Sequence, residues 1–198
     1  MPENHFDKLT TYPGSDGVLN FYEANTPAEI AAMNSSSKSG DVGLGSHTDL
    51  QCFTLLWQDE VGGLQILTPE GQWIMAKPIP GTLVVNIGDY LMRLTNDKFK
   101  STVHRVFNCS TFDRISMPFF FGFNFNEKCG VLPTCIDESN PPKYEPISCA
   151  EVCQPTSAIL LIEQTLNTNF ILTMRFAVDT TTLQADSAYR NACYIIPS

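Results

Sequence analysis

The chain has 198 residues, enough for one domain with a buried core, and carries a formal net charge of −9 at pH 7. The acidic surface, without any run of Lys or Arg, argues against nucleic acid or an anionic membrane as a partner. The sequence shows neither a signal peptide nor an apolar stretch of membrane-spanning length. The seven cysteines lack the spacing of a zinc site and predict reduced thiols in a cytoplasmic protein.

The order of predicted elements indicates the fold class. Residues 18–22 predict a short strand, and residues 26–41 predict a short helix followed by a loop rich in Ser and Gly. Short apolar stretches then recur between turn signals such as Gly62-Gly63 and Pro80-Gly81. Regularly spaced strands without long helices between them predict an all-β jelly roll with a few short flanking helices.

Two histidines and an aspartate form the most informative pattern of the chain. His47 and Asp49 are two residues apart, and His104 follows much later; the whole chain has three His. Two imidazoles and one carboxylate are the ligands that hold non-haem Fe(II) and leave coordination positions open. If residues 47–49 form a strand, His47 and Asp49 point to the same side. Each residue alone is more typical of a polar core group or a turn, and only the joint pattern favours a metal site.

A second pattern predicts a carboxylate-binding clamp. Arg114 lies ten residues after His104, and Ser116 lies two further on, so both share one face of a predicted strand. A guanidinium beside a hydroxyl binds a carboxylate well. The alternative for Arg114 is a structural ion pair. A metal with open positions near such a clamp suggests a bidentate oxo-acid co-substrate and oxidation by dioxygen.

Three stretches carry a resemblance to a known family: GLGSHTDLQCFTLLWQDEVGGLQI, GTLVVNIGDYLMRLTNDKFKSTVHRV and DRISMPFFFGF. They resemble the 2-oxoglutarate- and Fe(II)-dependent oxygenases, in the isopenicillin-N-synthase-like branch. The resemblance covers roughly residues 2–150. Asn20-Phe21-Tyr22 is similar to the family's Asn-x-Tyr element, whose tyrosine helps to hold the co-substrate. Tyr12-Pro13 offers a competing alignment.

The resemblance implies a fold, an activity and a set of site residues. The fold is a double-stranded β-helix, or jelly roll, over residues 18–126. The activity is hydroxylation or desaturation of a small organic molecule with 2-oxoglutarate and dioxygen, releasing succinate and carbon dioxide, with ascorbate in support. The implied residues are the metal ligands His47, Asp49 and His104, the co-substrate residues Tyr22, Arg114 and Ser116, and Phe120 in the substrate pocket.

Two other functions stay open at this point. An oxidase of the same branch would use the iron site without 2-oxoglutarate, and a truncated relative would have no catalysis. The second alternative arises because residues 1–17 resemble only a remnant of the family's N-terminal region. Residues 127–153 are expected to wrap the barrel, and residues 154–198 form a tail without a family counterpart that is expected to pack poorly. The sequence indicates no oligomeric state.

Overall fold

The structure is a computed structural model that describes residues 1–35, 43–153, 171–174 and 194–197. Its strands are β1 Asp16–Tyr22, β2 Phe53–Gln58, β3 Leu64–Leu67, β4 Trp73–Met75, β5 Thr82–Ile87, β6 His104–Val106, β7 Arg114–Phe121, β8 Lys128–Cys129, β9 Ile147–Ser148, β10 Ile171–Met174 and β11 Tyr194–Pro197. Its helices are α1 Pro27–Ser35, α2 Asp89–Leu94 and α3 Cys149–Val152, with 3-10 turns at Asp7–Leu9 and Pro133–Cys135. The predicted strand-rich fold with short helices is confirmed.

Two antiparallel sheets face each other across a cavity. The main sheet has the order β10-β1-β7-β2-β5-β11, and the second sheet has the order β4-β3-β6. Neighbouring strands are often distant in sequence, so the chain crosses between the sheets as it does in a jelly roll. Strands β8 and β9 form a separate pair. No helix among the described residues is long and apolar enough to span a membrane.

Strand alternation gives the main sheet a polar inner face. Tyr22 lies opposite Arg114, and Asn20 lies opposite Ser116 in the β1–β7 register, so all four side chains point to the same face. The neighbouring residues point outward and are apolar. This outer face includes the exposed side chains of Trp57, Ile115 and Met117. The polar residues of the sheet therefore face the second sheet across the cavity.

Two apolar clusters hold the sheets in place. Leu56, Leu64 and Val84 bring the two sheets together. A larger cluster at one end of the barrel contains Cys52, Tyr90, Leu94, Phe121, Phe123, Leu132, Cys135 and Cys149. Each large side chain buried in this way stabilises the fold by about 1.5–3 kcal/mol. Since three members of the larger cluster come from residues 127–153, this segment contributes to one end of the core.

Two expectations from the sequence need revision. Residues 47–49 form no strand: His47 makes a single antiparallel bridge with His104, and the chain then turns away toward α2. In the tail, β10 pairs with β1 and β11 pairs with β5, so two short segments join the edges of the main sheet. The poor packing expected for the rest of the tail concerns residues 154–170, 175–193 and 198, outside the described residues. Residues 36–41 of the predicted Ser/Gly loop also lie outside them.

Candidate metal and co-substrate site

The three predicted metal ligands come together at one end of the cavity. Their ligand atoms lie within 4.8 Å of one another. Asp49 Oδ1 is 3.7 Å from His47 Nε2 and 3.6 Å from His104 Nε2. His104 comes from the second sheet, whereas His47 and Asp49 come from residues 43–52, which we call the ligand loop. One ion can therefore contact all three side chains.

Backbone carbonyls orient both imidazoles in the same way. His47 and His104 pair through backbone hydrogen bonds of 3.0 and 2.9 Å. The Nδ1 atom of His47 lies 2.7 Å from the Gly45 carbonyl, and that of His104 lies 2.8 Å from the Thr102 carbonyl. Because a carbonyl only accepts, each Nδ1 carries the proton and each Nε2 keeps its lone pair for a metal. Burial, followed by the proximity of His104, lowers the pKa of His47 and favours this neutral form.

Asp49 is held by two donors that the sequence pattern alone does not assign to the site. Its Oδ2 atom accepts a short hydrogen bond from the Thr54 hydroxyl and one of 2.7 Å from Asn86 Nδ2. The other oxygen, Oδ1, faces the imidazoles. The β2–β5 register, in which Thr54 lies opposite Asn86, is the signal that reveals this pair.

The donor set fits a divalent cation. Two nitrogen lone pairs and a carboxylate oxygen converge at a largely buried point, where they would repel one another without a cation between them. Among the described residues, Asp49 pairs with no lysine or arginine that could supply the positive charge. Two imidazoles and one carboxylate match the ligand preference of non-haem Fe(II).

The predicted clamp also assembles. Arg114 is fully buried; its Nε donates to the Gly62 carbonyl, and its NH1 donates to Ser116 Oγ over 3.0 Å. Its Cζ atom lies 4.8 Å from the centre of the Tyr22 ring. The alternative of a structural ion pair is not observed, because Arg114 forms no salt bridge within the described part of the chain. The nearby Asp59 carboxylate accepts the Ile115 N–H instead.

Burial sets the electrostatics of the clamp. It lowers the pKa of Arg114, an effect that Tyr22 and Asp59 oppose. Burial also raises the pKa of Tyr22, against the influence of Arg114 and Ser116, so the phenol stays protonated and can donate a hydrogen bond. A buried guanidinium without a paired carboxylate is costly unless an anion binds to it. The clamp therefore fits a carboxylate ligand.

One cavity joins the two groups. The seven residues predicted for the site all line it: Tyr22, His47, Asp49, His104, Arg114, Ser116 and Phe120. The remaining wall is largely apolar and includes Leu56 and Pro118 from the main sheet and Leu64 and Val106 from the second sheet. The cavity thus offers a cation site and an anion site beside an apolar surface.

Comparisons with known proteins agree with this arrangement. Residues 17–123 match the 2OG-Fe(II) oxygenase superfamily. The chain is 49% identical over 155 residues to the 2-oxoglutarate-Fe(II) type oxidoreductase ppzC of Metarhizium rileyi, a match that covers 76% of this chain and 40% of that protein. It is 37% identical over 155 residues to deacetoxyvindoline 4-hydroxylase of Catharanthus roseus, covering 75% of this chain and 36% of that protein.

Solved structures show the same relationship. A full-length Neurospora crassa protein in complex with alpha-KG and thymine superposes with a TM-score of 0.70 at 34% identity, over 80% of this chain and 48% of that one. JOX2 in complex with 2OG, Fe and JA superposes with a TM-score of 0.62 at 28% identity, over 76% of this chain and 42% of that one. The chain thus spans less than half the length of these relatives. It belongs to the 2OG-Fe(II) oxygenase superfamily.

Proposed function

We propose that the chain is an Fe(II)- and 2-oxoglutarate-dependent dioxygenase that hydroxylates or desaturates a small organic molecule. The products from the co-substrate are succinate and carbon dioxide. The observation that carries this proposal is the shared cavity, in which the His47, Asp49 and His104 ligand set and the buried Arg114 face the same space. A cation site and an anion site in one cavity suit a metal that is chelated by an oxo-dicarboxylate.

The residues have distinct roles in this reaction. His47, Asp49 and His104 hold Fe(II), which together with 2-oxoglutarate and dioxygen supplies the oxidising chemistry. Arg114 binds the distal carboxylate of 2-oxoglutarate. Because Arg114 NH1 donates to Ser116 Oγ, the serine keeps its own O–H to donate toward the same carboxylate. The Tyr22 hydroxyl, in contact with Arg114 and Ser116, is a further donor.

The apolar part of the wall suits a small organic substrate. Phe120 and Pro118 continue the inner face of β7 beyond the clamp, and Leu64 and Val106 lie on the facing sheet. Apolar walls with a few fixed polar groups are typical of small-molecule pockets. The relatives support this class, since the Neurospora crassa protein was solved with thymine and JOX2 with JA. Phe120 is proposed to contact the substrate.

Dependence on 2-oxoglutarate is favoured over an oxidase without it. Two relatives from Arabidopsis thaliana are named as homologs of 1-aminocyclopropane-1-carboxylate oxidase, at 38% and 43% identity. Two fungal relatives, at 49% and 43% identity over longer stretches, are named as 2-oxoglutarate-Fe(II) type oxidoreductases. The buried Arg114 with two hydroxyl groups beside it supplies the anion site that such a co-substrate needs.

We place the protein in the cytoplasm, with ascorbate as a supporting reductant that keeps the iron in its Fe(II) state. The cysteines of the described residues are all free, which fits a reducing compartment.

The proposal is tested by measuring succinate after incubation of the chain with Fe(II), 2-oxoglutarate, ascorbate and oxygen. We expect succinate above the level without protein, with loss of the product in Asp49→Ala and retention in Asp137→Ala, a matched change at an exposed turn. Substrate panels built around pyrimidine bases and small organic acids would then identify compounds that increase turnover. Metal binding without succinate formation would instead indicate a non-catalytic relative.

A further inference from the structure

We infer that Thr54 and the segment Asn86–Tyr90, which we call the β5–α2 turn, position Asp49 so that only its Oδ1 atom faces the metal. This inference rests on the proposed function, because it assigns the positioning residues of the same metal site. It concerns groups that are not themselves metal ligands and that act on the metal site through Asp49. One set of contacts holds the side chain of Asp49, and a second set holds the ligand loop in which Asp49 lies.

The side-chain contacts fix the carboxylate. Thr54 and Asn86 lie opposite each other on β2 and β5, and both donate to Asp49 Oδ2. The three side chains are buried, with exposed fractions of 3%, 5% and 6% for Thr54, Asn86 and Asp49. A carboxylate oxygen offers about two acceptor positions. Two donors therefore fill Oδ2 and leave Oδ1 for the metal.

Contacts to the ligand loop fix the segment that carries Asp49. One of them is between side chains: Thr48, the neighbour of Asp49, donates its hydroxyl to Asp89 Oδ2 over 3.0 Å. Three consecutive N–H groups of the β5–α2 turn donate to carbonyls of the ligand loop: Gly88 to Cys52 at 2.9 Å, Asp89 to Asp49 at 2.7 Å and Tyr90 to Leu50 at 3.1 Å. The turn thus holds the ligand residue by its own carbonyl while Asn86 holds its carboxylate.

A glycine makes this close approach possible. A Cβ atom at Gly88 would lie 2.2 Å from the Gln51 carbonyl oxygen and 2.9 Å from that of Asp49. Both neighbours are backbone atoms that cannot rotate away. Any other residue at position 88 would therefore push the ligand loop off the turn, which explains why the Asn-Ile-Gly-Asp sequence belongs to the metal site.

The role of the two donors is to limit Asp49 to one metal-facing oxygen. With Oδ2 held, Oδ1 stays 3.7 and 3.6 Å from the two Nε2 atoms. Without a donor, Oδ2 is free to turn toward the ion and to compete for a position that the co-substrate needs. Loss of a hydrogen bond that orients a metal ligand typically weakens metal binding about 10- to 100-fold.

The test is a titration of the metal-free full chain with Co(II), followed by visible absorption, which reports both affinity and coordination. The variants are Thr54→Val, which keeps the side-chain shape, Thr54→Ser, which restores the hydroxyl, and Asn86→Ala. Matched controls are Thr82→Val, on β5 with its hydroxyl bonded to the Ile79 carbonyl, and Asn108→Ala, a buried amide bonded to the Glu23 carbonyl. Thermal unfolding without metal is measured for every variant.

We expect Thr54→Val and Asn86→Ala to bind Co(II) about 10- to 100-fold more weakly and with an altered spectrum. Thr54→Ser and both controls should bind as the unchanged chain does. Equal affinity and an equal spectrum in Thr54→Val and Asn86→Ala would overturn the inference and leave the proposed function intact. If Asn86→Ala does not fold, the inference is tested by comparing the Co(II) affinity and spectrum of Thr54→Val with those of Thr54→Ser. Failure of the unchanged chain to bind Co(II) would overturn the proposed function and the inference together.

Discussion

The two ends of the cavity are built in different ways. The metal ligands come from a loop and from the second sheet. Carbonyls two residues before each histidine orient the imidazoles, and a threonine on β2 and an asparagine on β5 hold the carboxylate. The clamp is centred on one strand pair, β1 and β7, whose register brings Tyr22, Arg114 and Ser116 together, while the Gly62 carbonyl accepts a hydrogen bond from Arg114. The ends also have opposite electrostatic needs, since one requires a cation and the other an anion. The metal end is therefore sensitive to changes on β2, on β5 and in the β5–α2 turn, whereas the clamp depends mainly on the register of one strand pair.

The largest expected effect tests the metal end. His47→Ala and Asp49→Ala should abolish binding of Co(II) and all succinate formation, because each change removes a ligand. Folding should be largely retained, since the apolar clusters are separate from the ligands. Calorimetric metal titration and thermal unfolding measure both quantities. His5→Ala, which changes a histidine packed on Phe6, is the matched control. Full metal affinity in Asp49→Ala would remove this residue from the ligand set.

The next effect separates the clamp from the metal end. Arg114→Ala should weaken 2-oxoglutarate binding by roughly 2–4 kcal/mol, because a charged and buried partner of the carboxylate is lost. Metal affinity should stay the same if the two ends are independent. Arg105→Ala is the control, since Arg105 stacks on Trp73 at 4.0 Å on the opposite face of its strand from His104. An unchanged Michaelis constant for 2-oxoglutarate in Arg114→Ala would show that Arg114 does not bind the co-substrate.

A smaller effect tests the contribution of β1 to the clamp. Tyr22→Phe keeps the ring beside Arg114 but removes the hydroxyl, so 2-oxoglutarate binding should weaken by about 0.5–1.5 kcal/mol, the usual contribution of one hydrogen bond. Tyr12→Phe should have no effect, because Tyr12 is 87% exposed and lies outside the cavity. Isothermal titration of the metal-loaded chain gives the affinities. A loss in Tyr12→Phe with none in Tyr22→Phe would show that the competing alignment is right.

The smallest effect concerns Glu151 of α3, which does not line the cavity. A hydrogen bond from Lys128, followed by those at Ser148, lowers the pKa of Glu151 from 4.5 to about 2. Because the pKa is depressed in the folded state, the stabilisation is present above pH 4.5 and is lost as the pH falls toward 2. Glu151→Gln keeps the capping box of α3 but removes the charge.

The unfolding temperature of Glu151→Gln should therefore fall slightly less than that of the unchanged chain between about pH 6 and pH 3. Glu60→Gln, at an exposed position, is the control. The affinities for metal and for 2-oxoglutarate at neutral pH should be the same in the unchanged chain, in Glu151→Gln and in Glu60→Gln. A change in either affinity in Glu151→Gln would contradict this prediction.

Much of the clamp follows from strand alternation in the sequence. Arg114 and Ser116 are two residues apart on β7 and therefore share a face, and Tyr22 on β1 lies directly opposite Arg114. The choice of Tyr22 over Tyr12 rests on Asn20, which also lines the cavity. The fold class follows from the same short-period pattern and from the resemblance.

The details of the metal end are beyond the sequence for a physical reason. The inference that His47 and Asp49 point to the same side assumed a strand at residues 47–49, yet the geometry of this loop comes from carbonyls that accept the N–H groups of the β5–α2 turn. The Thr54 donor is visible only once β2 and β5 are aligned. The edge strands β10 and β11 depend likewise on long-range pairing, which a local pattern does not contain.

The alternation of the main sheet has a consequence for how this protein can change in evolution. A shift of the whole of β7 by one residue against β1 and β2 would turn Ile115 and Met117 into the cavity and move the guanidinium to the outside, so the proposed catalysis would be lost although the composition is unchanged. Insertions in the hairpin around Gly71, where a Cβ atom would meet nothing within 4 Å, carry no such penalty. Insertions and deletions that arise during evolution should therefore occur in the turns and be rare within β1, β2, β5 and β7.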